Sequence, residues 1–459
     1  MGGREGLRAL ALALWVSSCG GAAMEPPAPR HARHVVLVVV DTLRADRVGA
    51  RAGSVSLTPA LDGLAARGVS ARAAYATSSW TRPSLASIFT GQLQSAHGVR
   101  EPRQPLPAGA RTLAESLAAR GFVTRAVVSN PILRAKWGYG QGFERWDDAL
   151  ALGPDAVTSD EVADSAIAAL DVRAGERLFL FALFFDPHWR YRGRTGDAPE
   201  PAGRLEGDER TQDLSTMHLD EGELAYVRGL YDAEVRATDA AIGRLLAALE
   251  ARGLADETLV LVTSDHGEAL GERGFFGHVE NLDEEVVRVP FVVAGPGVAR
   301  GSSVDAPLSL ACLPATVLEL LGVESDAAFA WPSEAEALRS PGSATGPAGS
   351  IGSAGSAGSG AVVFEVDYLP TPFRSAARTK QFGVRAGRWK LVVDELSGRR
   401  ALYDLASDPR GEHDRAPGHP KLVRELEGLL QRLRGAEATR ASGGPLTFEE
   451  RAALEALGY

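Results

Sequence analysis

The run Val35-Val36-Leu37-Val38-Val39-Val40 constrains this 459-residue chain more than any other stretch. Its residues are apolar without alternation and mostly branched at Cβ, so both faces need cover and a helix would restrict their side chains. The expected element is a strand buried on both faces of a sheet lying between helices. The run stops abruptly at Asp41. In open α/β sheets, sites gather outside the carboxyl ends of strands, which makes Asp41 a ligand candidate as well as a turn residue.

The pattern recurs. Phe122 to Val128 is a second apolar strand, Leu178 to Phe185 (LFLFALFF) a third that closes in Asp186-Pro187-His188, and Leu259 to Thr263 a fourth that closes in Ser264-Asp265-His266-Gly267-Glu268. Leu57 to Gly68, Thr112 to Arg120, Ala163 to Leu170 and the long Glu221 to Arg252 read as helices between them, so the chain alternates α and β. Val286 to Ala294 carries the strand PFVVA, and Leu308 to Leu321 reads as a helix closed by Gly322. Residues 193–220 are polar and without period, as a substrate-facing loop would be. Residues 340–360 are a Gly/Ser/Ala run that reads as a flexible insertion. Beyond it VVFEV, QFGVRAGRWKLVV and ALYDL alternate as strands, and Pro420 to Leu433 reads as a helix. The expected organisation is a catalytic α/β domain over 34–339, the insertion, and a small α+β subdomain over 361–459.

Thr77 to Gly91 (TSSWTRPSLASIFTG) reads as an irregular approach, a helix entry and a glycine stop. Pro83 suits a first helical turn and Gly91 the left-handed residue after the last. Thr81 then stands either as a simple cap or as a hydroxyl facing the unsatisfied N–H groups and positive dipole end of a helix, where an oxyanion is stabilised. Arg82, next to it, points to no target readable from the sequence.

Composition narrows the partners. Hydrophobic residues make up 45% and charged residues 24%, with a formal net charge of −10 and no polybasic stretch, which argues against nucleic acid and against anionic lipid surfaces. There are two cysteines. Cys312 reads as a small buried apolar residue. Cys19 closes a leader: Arg4 and Arg8 precede a short apolar run, and Val16-Ser17-Ser18-Cys19-Gly20 resembles a bacterial lipoprotein signal over residues 1–19. The apolar run is too short to span a bilayer. The expected state is an exported protein, lipid-anchored in the bacterial cell envelope at Cys19, with residues 20–33 as a tether; a plain secretory leader is the alternative.

Parallel strands would bring Asp41, His188, Asp265 and His266 to one edge, beside Thr81 and near His278. Carboxylate oxygens and an imidazole nitrogen suit calcium, manganese, magnesium or zinc. A divalent ion there would lower the hydroxyl pKa of Thr81 and balance the charge of a sulfuryl or phosphoryl group, with His188 and His278 placed to supply a proton or bind the anion.

VVLVVVDTLRAD, TRPSLASIFTG, DPH, TSDHGE, EEVVRVPFVVAGPG, SLACLPATVLELLGV, RAGRWKLV with LYDLASDP, and the final LEALGY resemble, in order, the landmarks of the sulfatase family of the alkaline phosphatase superfamily. The resemblance implies an α/β fold with a large mixed, mostly parallel sheet between helices and a small C-terminal subdomain. It also implies one divalent metal, calcium foremost, on Asp41, Asp265 and His266, with Thr81 as nucleophile, and a sulfated or phosphorylated small molecule or glycan as substrate. Two departures stand out. Formylglycine-dependent members carry Cys-x-Pro-x-Arg or its Ser version, whereas this chain has Thr81-Arg82-Pro83-Ser84-Leu85, and threonine cannot become formylglycine. Thr42 replaces a second acid. A threonine nucleophile resembles lipoteichoic acid synthases and phosphoethanolamine transferases, which pass through phospho-threonine. The expected function is therefore a metal-dependent, formylglycine-independent hydrolase or transferase of sulfate or phosphate esters. The alternatives are a catalytically idle envelope lipoprotein that binds an anionic glycan or lipid head group in the same cleft, or a purely structural calcium site.

Overall fold

The computed structural model describes residues 31–441, apart from 102–103, 152–157, 190, 192–198, 206–213, 215–216, 330, 343–359 and 370–377; side chains of 436–441 are also outside the description. The signal segment, most of the tether, nearly all of the Gly/Ser/Ala insertion, much of the 193–220 loop and the terminal LEALGY lie outside the described residues. Among the described residues, no helix is long and apolar enough to cross a membrane.

The central sheet has eight strands: β1 (His34–Val40), β2 (Val69–Ala71), β3 (Phe122–Val128), β4 (Arg145–Asp147), β5 (Arg177–Phe184), β6 (Thr258–Thr263), β7 (Phe291–Ala294) and β8 (Ser302–Val304). Their spatial order is β8-β2-β7-β6-β1-β5-β3-β4. β1 lies at the centre, parallel to β5 on one side (Val40 opposite Phe184) and to β6 on the other (Val39 opposite Thr263). β3 and β4 extend the parallel part, and β7 is antiparallel to both β6 and β2. β1, β5 and β6 therefore end at the same edge.

Every residue of β1 is buried, and its two faces enter separate cores. Val35, Leu37 and Val39 pack with Leu85, Ile88 and Phe89 of helix Thr81–Thr90 and with Leu313, Val317 and Leu320 of helix Leu313–Leu320. Val36, Val38 and Val40 pack with Leu61 and Leu64 of helix Pro59–Arg67, Val162 of helix Ser159–Ala168 and Leu245 of helix Glu221–Ala251. This double cover is what an unalternating β-branched strand requires. The expected helix from Leu308 is shorter than its pattern suggested. Leu308–Ser309 pairs as a strand, Leu310–Cys312 is a 3-10 turn, and the α-helix starts at Leu313, with Pro314 in its first turn.

The C-terminal part is a four-stranded antiparallel meander, Ala361–Tyr368, Thr379–Ala386, Trp389–Asp394 and Arg400–Asp404, with helix Pro420–Ala441 on one face. The other face of its first strand, through Val362, Phe364, Val366 and Tyr368, joins Tyr75, Trp80, Val279 and Leu282 in a third apolar cluster. Trp80 and Val279 flank Thr81 and His278 in sequence, so the meander packs directly behind two site loops.

Candidate active site

The shared strand edge delivers the predicted acids and imidazole together. Asp41 follows β1 and donates its N–H to the Phe184 carbonyl at 2.8 Å, which pins it to the end of β5. Asp265 and His266 follow β6, and Asp41, Asp265 and His266 are completely buried. One potential ligand atom from each lies within 4.8 Å of the others. Asp186, which the end of β5 also presents, does something else: it accepts from the N–H groups of Thr158 and Ser159 at 2.8 and 2.7 Å and so caps helix Ser159–Ala168.

Thr81 opens its helix without serving as the cap. Trp80 holds the cap position with extended backbone, and neither it nor Thr81 caps the helix through a side chain. Instead Thr81 Oγ1 lies 3.3 Å from His266 Nε2, in the surroundings of Asp41. The helix is tied to the end of β6 by Ser84, whose hydroxyl donates to the Asp265 carbonyl at 2.5 Å. Gly91 ends it at φ 64°, a conformation cheap only for glycine. Leu85, at the position of the family arginine, is fully buried in the core and faces no site. Arg82 also turns elsewhere, donating Nη1 to the Gln104 carbonyl at 3.0 Å and lying 4.2 Å from the Trp137 ring centre.

The cluster has the donor pattern of a cation site. Asp41 Oδ2 accepts from Asn130 Nδ2 at 2.5 Å, while Asp41 Oδ1 is buried without a partner. Asp265 Oδ1 accepts from its neighbour's N–H at 3.0 Å and from Thr42 N–H at 3.4 Å, while Asp265 Oδ2 is buried without a partner. Each carboxylate thus has one oxygen fixed by the protein and one left over. The leftover oxygens lie 3.7 and 3.4 Å from His266 Nε2. His266 Nδ1 is 2.9 Å from the Gly267 carbonyl, which can only accept, so Nδ1 donates there and Nε2 is the nitrogen turned toward the carboxylates. Two unpartnered carboxylate oxygens and an imidazole nitrogen converging in a buried pocket are costly unless a cation joins them. The strain shows in the acids: burial pushes the Asp41 carboxyl well above its usual range, with Asp265 next, and burial raises Asp265 as well. A divalent ion held by two carboxylate oxygens and one imidazole nitrogen fits this donor set.

The other two histidines complete an imidazole row. His278 lies 4.3 Å from His266 and 5.1 Å from His188, ring centre to ring centre. Glu268, fully buried, holds His278 Nδ1 at 2.7 Å and accepts the Trp189 N–H at 3.2 Å through its other oxygen. His188 stacks on Phe185, and its Nδ1 donates to the Trp189 carbonyl at 2.9 Å. Burial first, then the neighbouring His278, pushes its pKa down to about 3, so His188 is a neutral ring at physiological pH.

Asn130 and Glu268 were not singled out from the sequence. Asn130 follows the apolar strand β3 as Asp41 follows β1, and that position was the available signal. Glu268 stood within the Asp265-His266 motif, but its partner His278 is ten residues on. Backbone strain also concentrates here: Thr42 has φ 57° and Val279 φ 92°, both β-branched and both adjacent to site residues. Tyr231 holds Thr42 by donating to its carbonyl at 2.8 Å, and Val279 is held by its N–H to the Ser79 carbonyl at 3.1 Å. Gly267 is required for space, since a Cβ there would sit 2.1 Å from the Glu285 carbonyl oxygen.

The family model named Sulfatase matches residues 33–323, which is most of the chain and all of the strand-end cluster. The chain belongs to the sulfatase family. It is 29% identical to arylsulfatase K of Danio rerio over 219 residues, 47% of this chain but only 39% of that relative's length. It is 24% identical to a choline-sulfatase of Rhizobium meliloti (strain 1021) over 437 residues, covering 82% of this chain and 81% of that one. Among solved structures, a 2-O GAG sulfatase superposes with TM-score 0.71 at 20% identity, covering 92% of this chain and 96% of that chain. A phosphonate monoester hydrolase of Agrobacterium radiobacter superposes with TM-score 0.70 at 21% identity, covering 91% and 98%. This sulfatase-family chain thus shares the alkaline-phosphatase-like fold, large sheet and C-terminal meander included.

Proposed function

We propose that this chain is a metal-dependent hydrolase of sulfate or phosphonate and phosphate esters that uses the unmodified Thr81 hydroxyl as its nucleophile. The observation that carries the reading is the Thr81 hydroxyl 3.3 Å from His266 Nε2, against the unpartnered oxygens of Asp41 and Asp265. Asp41, Asp265 and His266 would hold the cation, which supplies a lowered hydroxyl pKa and a counter-charge for the anionic ester. The oxygen and nitrogen donors admit calcium, which the family resemblance favours, and also manganese, magnesium or zinc.

Thr81 Oγ, held at the dipole end of its helix, gives up its proton to solvent and attacks sulfur or phosphorus in line, forming the Oγ–S or Oγ–P bond while the bond to the leaving oxygen breaks. The imidazole row faces that leaving oxygen. His278, oriented by Glu268, donates the proton it needs, and neutral His188 holds the ester oxygens or the departing group. Water, or an acceptor alcohol, then displaces Thr81 and restores its hydroxyl. The relatives carry names of enzymes for choline sulfate, GAG sulfates and phosphonate monoesters, and these substrate classes are the ones to try first.

Turnover of chromogenic sulfate, phosphate and phosphonate monoesters and of a phosphodiester, with calcium, manganese, magnesium or zinc, tests the reading beside Thr81→Ala. Metal-dependent cleavage that the substitution abolishes is the expected result, and cleavage surviving it would remove Thr81 from the mechanism. We further infer export and lipid attachment at Cys19; labelling of the expressed chain with radioactive palmitate, lost in Cys19→Ala, is the expected outcome.

A further inference from the structure

Among the described residues Arg82 is the largest fully buried side chain, and two of its three guanidinium nitrogens have no hydrogen-bond partner. Nη1 reaches the Gln104 carbonyl, but Nε and Nη2 are buried without any partner. Among the described residues no carboxylate lies against this guanidinium; the one charged or titratable group that acts on it is the Tyr139 phenol. That phenol donates to the Arg82 backbone carbonyl at 2.7 Å, and burial pushes its pKa above its ordinary range, so it carries no negative charge. Burial lowers the Arg82 pKa to about 10, which still leaves the side chain protonated at neutral pH.

A buried, protonated, uncompensated guanidinium is unfavourable, and a stacked indole offsets only part of that cost. The unpartnered edge has a definite shape. Nε and Nη2 lie on the same side of the guanidinium, the side-on fork that grips two oxygens of one anion. Among the described residues that fork occurs four other times: Arg44 on Asp46, Arg204 on Glu223, Arg388 on Asp404 and Arg400 on Glu427 each present Nε and Nη2 to a carboxylate. Arg82 has the same edge, deeper burial and no acid.

We propose that Arg82 anchors an oxyanion site, separate from the cation cluster, in which the Nε–Nη2 edge binds a carboxylate, sulfate or phosphate group bidentately beside Trp137 and the Gln104 segment. The occupant is either a free inorganic oxyanion or a second acidic group of a substrate whose ester is held at Thr81, one residue away along the helix. The site does not depend on the proposed chemistry at Thr81, and its test can be made on protein with no turnover.

The test is the melting temperature of chelator-treated protein, in which the cation cluster is silent, against sulfate or acetate at constant ionic strength with chloride as the balancing salt. Wild type is expected to gain about 2 °C at saturating oxyanion. Arg82→Met is expected to melt as high as wild type without oxyanion, since an apolar side chain removes the uncompensated charge, and to show no gain. Arg82→Lys, a point donor without the fork, keeps the charge and is expected to need at least tenfold more oxyanion. If free oxyanion does nothing, the second arm compares glucosamine 6-sulfate with glucosamine 2-N,6-O-disulfate in the presence of calcium. A preference for the doubly acidic sugar in wild type, lost in Arg82→Met, assigns the site to the substrate. Equal oxyanion responses in wild type and Arg82→Met, or no response in wild type to either kind of probe, would overturn the proposal.

Discussion

At the scale of single residues, the site divides its work between atoms that are held and atoms that are left over. Asn130 holds one oxygen of Asp41 and leaves the other without a partner, where the proposed cation would bind. Removing such a partner lowers metal affinity about 10–100-fold. Asn130→Ala should therefore weaken calcium binding by that factor, as read by competition with a fluorescent chelator, whereas Thr81→Ser should leave it unchanged and keep turnover within about tenfold. A pH experiment follows from the acids. Asp41 and Asp265 have folded-state pKa values raised above the unfolded ones, by burial first, so the folded state binds more protons wherever the pH lies between the two values. Stability carried by those protons is present below the unfolded carboxylate range and is lost as pH rises through the folded pKa values. Chelated protein should melt lower at neutral than at mildly acidic pH, and calcium should remove the difference. A flat melting profile in chelator would show that the acids are compensated by something other than a cation. Asp41, Asp265 and His266 were legible because each stands at the end of an apolar run; Asn130 stands in the same kind of place after β3, but its partner is 89 residues away, so position alone did not show what it holds.

At the scale of elements, the C-terminal meander is tied to the α/β part, through strand Ala74–Tyr75 and helix Glu284–Val287, by a buried polar knot as well as by apolar packing. Lys390 Nζ donates to Glu284 at 2.8 Å, Tyr75 donates to the other Glu284 oxygen at 2.9 Å, and Arg385 reaches the Tyr75 hydroxyl. Lys390 is almost fully buried, so removing it strands the Glu284 carboxylate in the interior, a change that typically costs about 3–5 kcal/mol. Lys390→Ala should lower the urea midpoint accordingly, and Lys390→Ala combined with Glu284→Gln should recover part of the loss; independent, additive losses would refute the coupling. Strands and helices were readable from periodicity because the parallel strands are buried on both faces. The knot was not, since a lysine in a half-buried strand reads as a solvent-facing residue until the partner helix is placed. The start of the helix at Leu313 was also missed, because an apolar run does not distinguish a strand, a 3-10 turn and a helix laid end to end.

For the whole molecule, the Gly/Ser/Ala run 340–360 is expected to act only as a connector. The segments it joins carry their own attachments. The first meander strand donates the Glu365 N–H to the Thr77 carbonyl at 2.7 Å, and its Asp367 N–H goes to the Gln94 side chain at 2.8 Å. Glu365 also accepts from Ser95, through the N–H at 2.7 Å and the hydroxyl at 3.0 Å, while Arg434 of the last helix reaches the same carboxylate at 2.5 Å. These contacts surround the approach to Thr81, so the register of the meander is set by the catalytic half and not by the length of the connection. Loop-closure entropy grows only with the logarithm of length, and doubling a connection costs about 0.6 kcal/mol. A chain with the Gly/Ser/Ala run doubled should therefore melt within about 2 °C of the parent and turn over the same ester with kcat/KM changed less than twofold. A loss of turnover with the melting temperature preserved would mean that the run itself contributes to the site.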